Sequence, residues 1–445
     1  MKLFENYTQG IENLLNENEF NKLNESRFSN FSGTVNKRSQ ASDFLIKGNE
    51  SVRLFAAKQE HLQLPGSKVL LEFDKTGLQK LFGPNKSAFR EITIGTHPDF
   101  ADIPHDGLCY HHCVSMFVDM KGSTRLGLKH KLEKVRLIKD SLLTLCIHVA
   151  NFFGGHIHRL QGDAVFVQFV RKSHYKNDAI INALNAASVL CQFVEKNLSE
   201  VFIKRGMTPI KIRVGIDFGK DDEVLWSHYG LPGCAELTTT SLHTDLAAKL
   251  QFKAKPNTIL VGGSIINELD LPEEYYTYVY KQVNGNEEIE RYAIKDISYT
   301  QHEFLWKKYL QSYDFICKSS DDNTLDIAEK DFKIKCETYN EDGTDHNDYY
   351  QNSHSIEKHK KIKFTIYYKN VPYHKQSFDT ITWEAINRGD EAKSKNELHH
   401  NFGGEFAGQT SCVANAGYLG HHYVSCKIER QHSSNIKFCF PIYVR

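Results

Sequence analysis

The sequence predicts an α+β fold, helices packed over a mainly antiparallel sheet, followed by a separate β-rich domain. Three patterns carry that expectation. From about residue 110 to 300, apolar runs follow the order strand–helix–strand–strand–helix–strand. Two of those runs are long and carry apolar residues at helical spacing. Beyond about residue 325 the apolar runs are short and strand-like, with polar breaks between them.

Taken in order, residues 1–105 read as a short helical segment and linker. Leu14, Leu15, Phe20 and Leu23 fall at helical spacing, and Lys68-Val-Leu-Leu-Glu-Phe73 reads as a strand or the end of a helix. Pro84, His97-Pro98 and Pro104 punctuate the connection that follows. Residues 106–300 form the principal domain. Cys113-Val-Ser-Met-Phe-Val118 is a buried strand, and Leu132 to Phe152 is a helix with apolar residues at 135, 137, 138, 142, 145 and 149. His156–Leu160 and Val165–Phe169 form a hairpin around Gly162-Asp163. Ala179–Val201 is a second long helix, Ile210–Ile216 a half-buried strand, and Leu242–Phe252 a third helix. Residues 301–325 read as a linker helix ending in the polar break Ser319–Asn323. Residues 326–445 supply the strands Ile362–Tyr368, Thr380–Ile386, His422–Ile428 and Ile436–Val444, a β-sandwich-like domain of common size.

Composition narrows the function classes. Lys+Arg and Asp+Glu both number 55, so net charge advertises neither nucleic acid nor an anionic membrane as a partner. No run approaches the roughly 18–20 apolar residues of a membrane helix. The N-terminus lacks a basic segment followed by an apolar stretch, so a cytoplasmic protein is expected. Ten scattered cysteines read as reduced thiols. Cys109-Tyr-His-His-Cys113 resembles half a zinc site, but no second half accompanies it, and the segment reads more simply as the approach to a strand. Asn340-Glu-Asp-Gly-Thr-Asp345 lacks the ligand series of a calcium loop and reads as an exposed turn.

The chemistry is carried by two aspartates. Asp119 lies in Phe117-Val-Asp-Met-Lys-Gly-Ser-Thr124 and Asp163 in Gly162-Asp-Ala-Val-Phe166, each where a hydrophobic strand meets a glycine. Alone, either is a turn or capping residue. Together, on adjacent strands, they can share cations and clamp both oxygens of a phosphoryl displacement. Gly122, Ser123 and Thr124 at the following strand-to-helix turn offer backbone N–H groups to phosphate oxygens, or simply cap the helix.

These frames resemble the class III nucleotidyl cyclases, whose catalytic domain is an α+β sandwich on a ferredoxin-like core. The resemblance implies two Mg²⁺ or Mn²⁺ ions on Asp119 and Asp163, with the Met120 carbonyl completing one site. It also implies a homodimer with composite active sites. The family's Asn and Arg, four residues apart on a helix, correspond to Asp245 and Lys249 in Thr244-Asp-Leu-Ala-Ala-Lys-Leu-Gln251. That pair reads equally as an i,i+4 surface ion pair, and lysine lacks arginine's planar fork. The base-reading lysine or glutamate four residues before the second aspartate is Arg159 here, and the second base-reading position falls near Thr238. Neither reproduces the purine pattern; both can donate to pyrimidine acceptors. Arg159 reads as readily as a solvated hairpin charge. Phe117 shares Asp119's face of its strand, either to stack on a base or to fill the core.

Ile381-Thr-Trp-Glu-Ala-Ile-Asn-Arg-Gly-Asp-Glu-Ala392 and Gly420-His-His-Tyr-Val-Ser-Cys426 resemble the C-terminal sensor domain of bacterial anti-phage nucleotide cyclases, although Asn387–Asp390 reads as a plain turn. Joined to a cyclase with altered base-reading residues, that domain resembles the Pycsar pyrimidine cyclases. The resemblance implies a cytoplasmic homodimer making cyclic UMP or cyclic CMP, with UTP preferred over CTP, as a messenger to a separate effector protein. A purine cyclase of general signalling and an inactive cyclase-fold binding or dimerisation module are the alternatives.

Overall fold

The apolar runs of the principal domain become the elements their periods predict, and the strand Cys113–Lys121 sets the site. The computed structural model describes residues 4–16, 73–84, 87–207, 209–294, 297–312, 316–318, 325–327, 331–403, 406, 408–431 and 433–445. Phe20, Leu23 and residues 68–72, where helix or strand was expected, lie outside the described residues.

In chain order, α1 (Glu5–Asn16) and α2 (Thr76–Phe82) precede β1 (Leu108–Tyr110) and β2 (Cys113–Lys121). Then come α3 (Ser123–Lys129), α4 (Leu132–Phe152), β3 (Gly155–Gln161) and β4 (Ala164–Phe169). α5 (Lys176–Gln192) runs through a π-helical turn, Phe193–Leu198, into α6 (Ser199–Lys204). β5 (Lys211–Gly219), β6 (Leu225–Leu231) and β7 (Cys234–Thr240) lead to α7 (Leu242–Lys253), β8 (Thr258–Gly262) and α8 (Gly263–Leu269). Five strands close the domain: β9 (Tyr276–Tyr278), β10 (Tyr280–Val283), β11 (Asn286–Ile289), β12 (Arg291–Ile294) and β13 (Ile297–Phe304).

The main sheet has the order β12-β13-β8-β5-β2-β4-β3, with β9 also on β13. Its described pairings are antiparallel except β5 with β8. One face carries Val114, Met116, Val118 and Met120 of β2 into a core shared with Leu142, Leu145 and Val149 of α4 and Leu184 of α5. The other face carries Phe117 and Asp119, and α7 lies across it. Gly215 makes that approach possible: a Cβ there would sit 2.2 Å from the Gln251 nitrogen and 2.3 Å from the Ala247 carbonyl oxygen.

β6 and β7 join β1 in a second, three-stranded sheet that the sequence did not announce. Trp226 and Phe100 stack at 3.9 Å beneath it. Across residues 301–325, where a linker helix was expected, Gln301–Phe304 complete β13 and the helix is the short α9 (Trp306–Gln311), followed by β14 (Ile316–Lys318) and β15 (Leu325–Ile327).

The C-terminal region is a two-sheet sandwich. β16 (Phe332–Tyr339), β17 (Asn347–Tyr349), β18 (Lys361–Tyr368) and β19 (Val371–Pro372) build one sheet, which β22 (Ser411–Asn415) joins on β18. β20 (Thr380–Ile386), β21 (His399–Asn401), β23 (Gly420–Glu429) and β24 (Ile436–Val444) build the other; α10 (Asp390–Ser394) and β22 (Ser411–Asn415) lie between them in sequence. Alternate residues such as Ile362, Phe364 and Ile366 meet Trp383 and Phe440 in its core. The region docks on the principal domain through polar contacts. Asp178 accepts from the Ser355 hydroxyl at 2.6 Å, the Tyr443 hydroxyl donates to the Glu268 carbonyl at 3.2 Å, and buried Tyr275 and Tyr423 join hydroxyls.

Candidate active site

Asp119 lies two residues before the end of β2, and its ladder partner on β4 is Ala164. Asp163 immediately precedes Ala164 in the turn between β3 and β4, so the two aspartates occupy neighbouring positions on adjacent strands. Both side chains are mostly buried, at 18% and 16% exposure.

Their partners differ in kind. Asp119 accepts from the Arg213 guanidinium, directly opposite on β5, and from Gln251 Nε2 of α7 at 3.1 Å. Arg213 is itself fixed by donating to the Phe252 carbonyl at 2.9 Å. Asp163 Oδ1 lies 3.3 Å from Lys139 Nζ of α4. Its Oδ2 is buried without any hydrogen-bond donor. Leaving an acceptor of that kind unsatisfied costs about 1–3 kcal/mol, more for a charged oxygen. A hard cation with oxygen ligands removes that cost, so the residues present fit a divalent metal. Met120 sends its side chain into the core, leaving its backbone carbonyl as the only group it can offer a cation.

Gly122 has φ 82° and ψ 20°, a left-handed conformation, and α3 begins at the next residue with Ser123 and Thr124 in its first turn. Nothing lies within 4 Å of where its Cβ would be, so backbone geometry rather than room calls for glycine.

Arg159 pairs with Glu236 of β7, a residue that no sequence motif marks. Nε donates to Oε1 at 3.1 Å and Nη2 to Oε2, a two-point fork. Each raises the charge preference of the other: the hydrogen bond lifts the Arg159 pKa and depresses that of Glu236. A β-bulge at His158 shifts the register of β3 immediately before Arg159. The His158 ring, buried and therefore held below the usual histidine pKa, has Nε2 3.1 Å from the Leu237 carbonyl and so ties β7 over β3. Thr238 lies two residues from Glu236 on the same face of β7. Phe117 stacks on Phe166 at 4.3 Å with rings 3° from parallel, and Phe166 faces Arg159 across the ladder.

α7 splits the remaining residues. Leu246, Ala247 and Leu250 are buried, whereas Asp245 and Lys249 are exposed. The Lys249 amine goes to the Tyr292 hydroxyl and lies 4.3 Å from that ring's centre. The structure thus sets Asp119 and Asp163 at neighbouring positions, pairs Arg159 with Glu236 opposite Phe166 rather than with Phe117 or Thr238 directly, and turns Asp245 and Lys249 outward. Arg213 alone of the unforeseen partners had a signal, since the alternation of Ile210–Ile216 places it on the polar face. Gln251, Lys139 and Glu236 had none.

In the Cys109–Cys113 segment, burial pushes the Cys113 thiol up to about 12. His111, His112 and Asp221 instead bring ligand-type atoms within 4.8 Å of one another, with His112 Nδ1 3.0 Å from Asp221 Oδ1. No helix among the described residues is long and apolar enough to cross a membrane.

Residues 299–440 match the family of Adenylyl/Guanylyl and SMODS C-terminal sensor domains. A Staphylococcus aureus protein named cytidylate cyclase is 38% identical over 352 residues, which is 78% of this chain and 82% of that protein. An Escherichia coli protein of the same name is 32% identical over 370 residues, 79% of this chain and 76% of that one. The crystal structure of the adenylyl cyclase CyaB from P. aeruginosa aligns over 44% of this chain and 95% of its own, at 19% identity and a TM-score of 0.38. The relatives' names lend no support to the expected preference for uridylate. The length and identity of the two cytidylate cyclase matches settle the affiliation: the chain belongs to the Pycsar pyrimidine cyclases, a family of nucleotide cyclases.

Proposed function

We propose that the protein is a divalent-metal-dependent cyclase converting CTP to 3′,5′-cyclic CMP and pyrophosphate. The observation that carries this is the Asp119–Asp163 pair on adjacent strands, with one buried carboxylate oxygen left open to a cation. CTP replaces UTP as the preferred substrate because the matched relatives bear the cytidylate name.

Bound at these carboxylates, Mg²⁺ or Mn²⁺ supplies acidity to the ribose 3′-hydroxyl and offsets charge on the departing pyrophosphate. The chain's own residues orient and neutralise. Arg213 and Gln251 fix the Asp119 carboxylate, and Lys139 fixes one oxygen of Asp163. Gly122, Ser123 and Thr124 place backbone N–H groups beside that pair for phosphate oxygens. Arg159, Thr238 and Phe117 serve the base. Asp245 and Lys249, on the outward face of α7, suit the ribose and phosphates of a nucleotide held by a second subunit, so the enzyme works as a homodimer. The product acts as a messenger to a separate effector in anti-phage defence in the cytoplasm, and the C-terminal domain senses infection.

Incubating the purified protein with each ribonucleoside triphosphate and Mn²⁺, alone and with extract from phage-infected cells, tests the reading. Cyclic CMP is the expected product. Cyclic AMP or cyclic GMP alone points to a purine cyclase, and no product in any arm points to a binding module.

A further inference from the structure

Arg159 and Glu236 lock together through Arg159 Nε and Nη2, yet both side chains stay open to solvent at 47% and 41% exposure. A guanidinium carries five N–H donors in one plane. Two are used by Glu236. Nη1 keeps two and Nη2 one, and Glu236 Oε2 keeps a lone pair. In the plane of the fork, Oε2, Nη2 and Nη1 follow one another as acceptor, donor, donor. That is the order presented by the Watson–Crick edge of guanine, and its complement is donor, acceptor, acceptor: the N4 amino group, N3 and O2 of cytosine. Uracil offers acceptor, donor, acceptor, which sets its N3–H against an Nη2–H and its O4 against a carboxylate oxygen.

We propose that Arg159 and Glu236 together form the edge that reads the base, and that Glu236 selects cytosine over uracil by accepting from the N4 amino group. This rests on the chain being a nucleotide cyclase. The surroundings hold the pair for the task. The His158 ring, at the bulge in β3, lies 3.1 Å from the Leu237 carbonyl and so holds β7, with Glu236, beside Arg159. The parallel Phe117 and Phe166 rings stand on the same sheet face as Arg159 and supply an apolar wall beside the edge. Arg159 by itself, with donors only, meets acceptors on either pyrimidine. The carboxylate is what makes the edge unequal.

The test measures kcat/KM for CTP, for UTP and for the triphosphate of pyrimidin-2-one riboside, which lacks the 4-amino group, with Mn²⁺. Wild type is expected to favour CTP over both others. Glu236→Gln and Glu236→Ala are expected to lower the CTP-to-UTP ratio about 10–100-fold, because they remove both the bond to the N4 amino group of cytosine and the opposition of the carboxylate to O4 of uracil. They are also expected to process CTP and the 4-deamino analogue about equally. An active wild type that uses the analogue as well as CTP, or that prefers UTP, overturns the proposal without touching the cyclase reading and needs no variant to fold. Variants that keep the wild-type ratio overturn it as well. A wild type that makes no cyclic nucleotide from any of the four ribonucleotides overturns both.

Discussion

Replacing Gly215 with alanine probes how closely α7 must sit on the sheet. The added Cβ would lie 2.2 Å from the Gln251 nitrogen and 2.3 Å from the Ala247 carbonyl oxygen, both backbone atoms of the helix. Neither can rotate away, so the helix must move. Reaching an ordinary contact near 3.4 Å requires a shift of about 1.2 Å, since packed backbone has little slack. Gln251 Nε2 holds Asp119 at 3.1 Å, and the same displacement carries it out of hydrogen-bond reach. Lys249 and Asp245 travel with it. A misplacement of about 1 Å costs on the order of 10²-fold in turnover, and overpacking costs about 1–3 kcal/mol of stability. Gly127, inside α3 with nothing within 4 Å of its Cβ position, is the control: Gly127→Ala is expected to be neutral or stabilising by about 0.5–1 kcal/mol. Kinetics of cyclic-nucleotide formation and thermal unfolding read the two effects. A Gly215→Ala protein with wild-type turnover and an unchanged melting temperature would show that α7 need not sit this close to the sheet.

Three further outcomes follow from the same contacts. His243 loses charge preference through burial, but Asp217 at 3.2 Å and Glu223 at 3.2 Å outweigh that and raise its pKa. Its stabilising contribution is therefore whole below the unfolded value near 6.5 and is lost as pH rises through the higher folded value. The melting-temperature advantage of wild type over His243→Gln should shrink across that window; an advantage independent of pH contradicts the sign. Tyr423→Phe removes the buried hydroxyl contact with Tyr275 and is expected to cost about 1 kcal/mol in denaturant unfolding, whereas no change would mean the contact is idle. If Lys249 serves the partner's nucleotide, equal mixtures of Lys249→Ala and Asp163→Asn chains should regain about a quarter of wild-type activity, because half the dimers hold one intact site. Mixtures as silent as their components would refute a composite site.

The fold was legible wherever one face of an element is apolar. Leu132–Phe152 is a helix over its expected span because Val135, Ile138, Leu142, Leu145 and Val149 all bury on one side. The hairpin around Gly162-Asp163 was legible from its turn and flanking strands. The β6–β7 hairpin was not, because Ser227, His228, Glu236 and Thr238 keep it polar while Trp226 and Leu237 bury beneath it. The same division runs through the site. Asp119 and Asp163 announce themselves, each in its own short frame. Alternation puts Arg213 on the polar face of its strand, but its pairing with Asp119, like those of Gln251, Lys139 and Glu236, comes from strand pairing and helix packing that no local pattern encodes.

The central claim is that Asp119 and Asp163 hold a catalytic cation, and calorimetric titration of Mn²⁺ beside a cyclase assay tests it most directly. Wild type is expected to bind Mn²⁺ and make cyclic CMP from CTP, a chelator to stop it, and Asp163→Asn to lose both while staying folded. Turnover of CTP by Asp163→Asn at the wild-type rate, or by wild type in excess chelator, would contradict it.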